Sequence, residues 1–249
     1  MNNYIVSIIR KMTTIEYIPV SLVSAIAGRN PYIPWKHGIS MLLEKYYPAI
    51  WNEILCENGE EEQEEIILKG EKLQQYNEII QATEITKELI LNEKEYQLAI
   101  VDRGTLMEED TISRLVYNEE MKSLYKNFKI NRNVSVSGIF PYFKISGMMD
   151  GVIWNKCILE IKNRANRFLT EDQCSYDIDQ LVMYIVLFTI PLSGRLIQQY
   201  NGQLQIGREI TYKEAYSRWI NEIKPKLEKH INIANKQLSI KNYSWFSQK

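Results

Sequence analysis

Residues 145–164 read ISGMMDGVIWNKCILEIKNR, two apolar runs on either side of Asn155-Lys156. The pattern predicts a β-hairpin turning at Asn155-Lys156. Side chains alternate across a strand. In CILEIKN, Leu159 and Ile161 therefore point one way, and Glu160 and Lys162 point the other. Asp150 stands just before the GVIW strand, so pairing across the turn sets it beside residues 160–162. Two carboxylates and an ammonium then converge on one point. Such carboxylates are hard oxygen ligands and suit Mg²⁺, which keeps several waters and takes one or two protein carboxylates plus phosphate oxygens. The backbone carbonyl of Ile161 offers a further oxygen. Lys162 beside the ion can hold or deprotonate a water and stabilise charge in phosphodiester hydrolysis. The plainer alternative is a surface cross-strand Glu-Lys pair contributing roughly a few tenths of a kcal/mol. On the hairpin alone both readings stay open.

Downstream, DIDQLVMYIVLFTI predicts a buried helix, capped at its N-terminus by Asp177 or Asp179. Its apolar run is too short to span a bilayer. Gln180 and Tyr184 lie four residues apart on one helical face. RLIQQYNGQLQIGREI predicts a hairpin turning at Asn201-Gly202. The last helix starts at a Thr211/Glu214 capping box and meets Pro225, which should kink or split it.

Upstream of the hairpin, NVSVSGIF reads as a strand, and a helix is predicted from about Thr105 to about Lys126. Met107, Thr111, Arg114 and Leu115 share one side of it, and Leu115 and Tyr117 are expected in the core. Glu108 sits in its first turn, where the helix dipole also favours a carboxylate. Nearer the N-terminus, VSLVSAIAGRNPY predicts a helix ending at Gly28, and WKHGISMLLEKYYP one ending before Pro48. The acidic run Glu57–Glu65 is expected to be solvated, and residues 66–100 have helical spacing. This order predicts an α/β (α+β) sandwich, a mixed sheet flanked by helices, rather than a doubly wound array.

The chain has 249 residues, 45% of them hydrophobic, enough for one sizeable core. Thirty basic and 31 acidic residues leave a net charge of −1, so a global basic field is absent and a nucleic-acid groove would have to be local. Cys56, Cys157 and Cys174 are odd in number and form no CxxC, which points to a reducing, intracellular compartment. The segment MNNYIVSIIRKM lacks a basic start and a small-residue cleavage site, so no secretory leader is expected.

Four stretches in order carry a resemblance: SLVSAIAGRNPY (21–32), GTLMEEDTISRLVY (104–117), GMMDGVIW with ILEIKNR, and DQLVMY (179–184). Together they resemble the PD-(D/E)XK nuclease superfamily, and within it the phage lambda exonuclease and YqaJ viral recombinase family. The resemblance implies a restriction-endonuclease-like core and a single domain over 1–249, with residues 1–100 mainly helical and 101–249 as catalytic core. It implies that Asp150 and Glu160, with Ile161 through its carbonyl, bind Mg²⁺ (Mn²⁺ substituting), and that Glu108 completes the site. Lys162 would activate the water and Gln180 would position water or phosphate. Arg29 and Tyr184 would contact DNA. Met149 replaces the proline of the motif's name, and Glu109 beside Glu108 could be the motif glutamate instead.

The activity so implied is a metal-dependent exonuclease working from duplex DNA ends, 5′ to 3′, in viral or phage recombination, repair or replication. It would sit in host cytoplasm or nucleus. A homo-oligomeric ring and a single-strand annealing protein are the partners implied, with no membrane. A nicking or structure-specific endonuclease uses the same core. A catalytically silent DNA-binding or assembly module is disfavoured by the intact Asp150, Glu160, Lys162 set. An iron-sulfur nuclease is disfavoured by three scattered cysteines.

Overall fold

The computed structural model describes residues 14–58, 107–164, 166–240 and 246. The acidic run beyond residue 58, the helical spacing over 66–100 and the predicted helix start at Thr105 lie outside them. Strand β1 (Tyr17–Pro19) leads into α1 (Val20–Ile26), α2 (Trp35–Tyr46) and α3 (Pro48–Asn58). A helix over 107–117, here α4, is followed by α5 (Glu119–Leu124). Then come β2 (Ile130–Asn131), β3 (Val134–Ile139), β4 (Lys144–Met149), β5 (Gly151–Ile153) and β6 (Cys157–Asn163). The chain closes with α6 (Ser175–Leu187), β7 (Ser193–Tyr200), β8 (Gln203–Ile206), α7 (Tyr212–Arg218) and α8 (Lys224–Ser239).

The strands form two mixed sheets flanked by helices rather than one. The first has the order β1-β4-β3, with β1 parallel and β3 antiparallel to β4. The second has the order β2-β5-β6-β7-β8, with β6 and β7 parallel and α6 joining them. The predicted hairpin turns over Trp154–Lys156, with Asn155 at φ 58°. Its first arm is divided: β4 belongs to the first sheet and β5 to the second, and Asp150 is the residue between them.

Strand alternation places the two cores. Cys157, Leu159 and Ile161 pack with Leu115, Met121, Ile153 and Ile197 beneath α4 and α5. Ile158, on the other face, joins the larger core with Leu181, Val182 and Ile185 of α6 and Trp219 and Leu227 beyond it. Glu160 and Lys162 share the face of Ile158, so they lie under α6.

Local signals explain most boundaries. Gly28 takes φ 66° just past α1, a left-handed conformation that glycine adopts without strain. Pro48 opens α3, where its missing N–H costs nothing. Asn201 and Gly202 take φ 47° and 73°, as a tight hairpin turn requires. Thr211 caps α7 by accepting the amide of Glu214, 3.2 Å. The Glu214 carboxylate turns to Arg208 instead (2.6 Å), so only half of the capping box forms. Before Pro225 the chain widens into a π-helical turn over Trp219–Ile223, which accommodates the ring and the missing donor while the rod continues.

Three local expectations are corrected. The predicted long helix breaks at Asn118, whose extended backbone and side chain, accepting the amide of Met121 at 3.0 Å, start a new helix. Tyr117 is 76% exposed, because it lies about 200° around the helix from buried Leu115. Neither Asp177 nor Asp179 caps α6: Cys174 occupies that position, and both carboxylates lie inside the helix and are held by arginines. Among the described residues no helix is long and apolar enough to cross a membrane.

Candidate active site

Asp150 stands where the chain leaves one sheet for the other. The last β5–β6 pair is Gly151 with Leu159, so the amide of Ile161 has no partner on β5. Asp150 Oδ2 accepts that amide at 2.7 Å, which fixes the carboxylate against β6. Two residues of β6 then project toward α6. Glu160 is fully buried, and Lys162 keeps its side chain 26% exposed. Lys162 Nζ lies 2.6 Å from Glu160 Oε1 and 3.9 Å from Asp177 Oδ1.

From α6, Asp177, Gln180 and Tyr184 face this strand at i, i+3 and i+7, one helical stripe. Lys162 Nζ donates to Gln180 Oε1 (3.2 Å), and Gln180 Nε2 donates to the Tyr184 hydroxyl (3.2 Å). Tyr184 in turn donates to the carbonyl of Met148 (2.8 Å), two residues before Asp150. The chain of bonds thus runs from β6 through α6 to the end of β4. Gly147 lets it close: a Cβ there would meet Tyr184 Cε1 and Val20 Cβ at 2.9 Å.

The electrostatics are unusual for a structural ion pair. Glu160 has one close partner, the Lys162 ammonium at Oε1, and among the described residues Oε2 has none. Buried carboxylate oxygens are normally satisfied. Burial pushes Glu160 up to about 8; Lys162 opposes the shift and the charge of Asp150 adds to it. Burial also raises Asp150, against the Ile161 amide, Lys162 and Arg132. Glu108 is raised by burial and then by Asp150, which places it within the field of the same group. Burial works against the Lys162 ammonium, but Glu160 and then Asp177 outweigh it and hold the group above the ordinary lysine value. Acids crowded into a dry pocket, with too few donors, favour protons or a cation.

Among the described residues no three His, Cys, Asp or Glu side chains are gathered closely enough to hold a metal unaided. Asp150 and Glu160, one with a single amide donor and the other with a single ammonium, do fit Mg²⁺, which commonly takes one or two carboxylates and completes its shell with water and substrate.

The structure brings Asp150, Glu160, Lys162, Gln180 and Tyr184 together and sets Glu108 in electrostatic reach of Asp150. Neighbouring Glu109 turns away to Arg132, 2.9 Å. The side chain of Ile161 is buried in the second core, so only its backbone can serve the site. Tyr184 is buried, and its hydroxyl is taken up by Gln180 and Met148. Arg29 is engaged elsewhere: Nε donates to Asp179 Oδ2 at 2.7 Å and Nη1 pairs with Glu222 at 2.9 Å. Asp177 and Arg164 were not anticipated here. Arg164 Nη2 donates to Asp177 Oδ2 at 2.7 Å, beside Lys162. Helical spacing back from Gln180 and strand alternation on from Lys162 would have pointed to both.

No family model matches the chain, and no curated protein matches it. Among solved structures, a protein from Eubacterium rectale provisionally named an exonuclease is similar at a TM-score of 0.41 and 16% identity, over 88% of this chain and 82% of that one. The protein SSO0001 is similar at a TM-score of 0.38 and 17% identity, over 68% of this chain and 72% of that one. Likeness this low transfers no chemistry; the site has to be read from its own residues.

Proposed function

We propose that the protein is a Mg²⁺-dependent deoxyribonuclease that hydrolyses phosphodiester bonds from duplex ends, 5′ to 3′, in viral or phage DNA recombination, repair or replication. The observation that carries this reading is the fully buried Glu160 carboxylate, whose one close partner is the Lys162 ammonium at 2.6 Å, with Asp150 and Lys162 on the same side of the strand. Buried carboxylates normally collect several donors, and this one has a single ammonium. The order of the four motifs supports the nuclease assignment.

Asp150 and Glu160 would hold the metal, with the Ile161 carbonyl and Glu108 completing its surroundings. When bound, the ion supplies Lewis acidity toward the phosphoryl oxygens and offsets their charge. Mn²⁺ would substitute. Lys162, held protonated by Glu160 and Asp177, orients a water and donates to the charge that develops on the phosphoryl oxygens. Gln180 fixes the ammonium through its Oε1, and Tyr184 fixes Gln180. Preorganised donors of this kind need no reorganisation as the reaction proceeds. Assembly into a ring and delivery of single strands to an annealing protein fit an end-processing enzyme.

The test uses linear duplex labelled at either 5′ or 3′ end, and covalently closed circular duplex, with Mg²⁺ or EDTA. The reading expects Mg²⁺-dependent loss of linear DNA, 5′ label released first, and an intact circle. Nicking of the circle would replace it with an endonuclease. No Mg²⁺-dependent cleavage of either would leave a binding module.

A further inference from the structure

Two tyrosines next to the site are not used by the chemistry above. Tyr32 is 66% exposed, yet its backbone is fixed. Asn30 Oδ1 accepts the amides of Tyr32 and Ile33, at 2.9 and 3.2 Å. Arg29, one residue before Asn30, is fastened to Asp179 of α6 and to Glu222. The Tyr32 ring meets Tyr176 of α6 edge to face, with centroids 5.8 Å apart and planes at 89°. Tyr176 is half-buried, within the electrostatic reach of Arg164, and immediately precedes Asp177. A continuous line therefore runs from Glu160 to Lys162, Asp177, Arg164, Tyr176 and Tyr32.

A lone exposed tyrosine needs no explanation. This ring differs in being held from below by a second ring and along the backbone by an ion-paired turn. A cation stands close by: Arg164, in the electrostatic surroundings of Tyr176, pairs with Asp177, the residue after it. Fixed aromatic faces alternating with cations suit a nucleic-acid strand, whose bases stack while its phosphates are neutralised.

We infer that Tyr32, braced by Tyr176, is a stacking platform for one unpaired nucleobase of the strand whose phosphate enters the Glu160–Lys162 site, and this rests on the nuclease reading. A base inside a duplex is covered on both faces, so the base that stacks on Tyr32 is one that has left the helix. Recognition there is tolerant of sequence, because every base has a π-face.

The test is equilibrium binding of the full chain to a short fluorescent oligo(dT) in EDTA, where no cleavage occurs. A single abasic position is moved along the strand, and wild type is compared with Tyr32→Ala and Tyr32→Trp. In wild type, one abasic position should weaken binding about tenfold. Tyr32→Ala should weaken the intact strand by a similar factor and abolish the penalty at that position, and Tyr32→Trp should preserve both. If no abasic position matters, or the same penalty persists in Tyr32→Ala, the platform is overturned while a nucleic-acid site stands. Failure of the intact oligonucleotide to bind overturns the platform, whereas the nuclease reading stands or falls on Mg²⁺-dependent cleavage of linear duplex.

Discussion

Asp150 accepts the backbone amide of Ile161 at 2.7 Å, so the junction between two sheets is tied to the strand that carries Glu160 and Lys162. One carboxylate thus has a structural partner and a proposed chemical role, and an isosteric substitution can separate them. In Asp150→Asn the side-chain carbonyl can still accept the amide, but the charge is gone. The melting temperature should stay near that of wild type. Cleavage should fall at least about a hundredfold, since losing a metal ligand forfeits several kcal/mol of charge stabilisation. Calorimetric titration with Mg²⁺ would check the cause; undiminished Mg²⁺ affinity would remove Asp150 from the metal site.

Glu160 gives the pH dependence. In the folded chain its carboxyl is pushed up to about 8, whereas in the unfolded chain it titrates at about 4.3. Between those values the folded state holds more protons than the unfolded state, so stability falls as pH rises. In EDTA, the contribution is complete below about pH 4.3 and lost by about pH 8. Thermal unfolding across that range should show wild type losing stability relative to Glu160→Gln, and Mg²⁺ should restore wild type at the alkaline end. A difference between the two proteins that does not change with pH would contradict a buried carboxylate whose desolvation outweighs its pairing with Lys162.

Arg29 is a clamp between α1, α6 and Glu222 in this structure. Asp179 is fully buried, and Arg218 also pairs with it, at 2.7 Å. Arg29→Ala leaves that carboxylate with one guanidinium instead of two and should destabilise the fold by about 2 kcal/mol, the loss of a charged hydrogen-bond donor. Denaturant unfolding would measure this. If instead stability is unchanged while the affinity for duplex ends drops, Arg29 acts on DNA.

Gly147 sets the approach of α6 to β4. Gly147→Ala puts a Cβ at 2.9 Å from Tyr184 Cε1 and Val20 Cβ, inside contact distance. Overpacking of this size costs about 1–3 kcal/mol. The displaced Tyr184 also loosens Gln180, so the cleavage rate should fall while Mg²⁺ affinity is kept. Full activity in Gly147→Ala would show that the Tyr184–Gln180 brace does not matter to the chemistry.

The strand face was legible from alternation alone, because Glu160 and Lys162 differ so sharply from Leu159 and Ile161. So were the turns at Asn155 and Asn201-Gly202, whose left-handed backbones favour asparagine and glycine. What alternation could not give was the partition of one β-run into two sheets at Asp150, which depends on contacts distant in sequence: β1 with β4 and β2 with β5. The ion pairs of Asp177, Asp179 and Arg29 are not legible for the same reason. Asp179 near a helix start reads locally as a cap, and only the arrival of Arg29 from the turn after α1 and of Arg218 from α7 makes it a buried anchor. Tyr117 differs for a local reason: its angle around the helix, about 200° from Leu115, carries the ring away from the core.

The central claim is tested most directly by Lys162→Ala on linear duplex with Mg²⁺, measuring cleavage and binding side by side. The account predicts that DNA binding persists within a few-fold and that cleavage falls by at least about a hundredfold, the loss typical of a preorganised charge-stabilising donor. Cleavage by Lys162→Ala at the wild-type rate would contradict it.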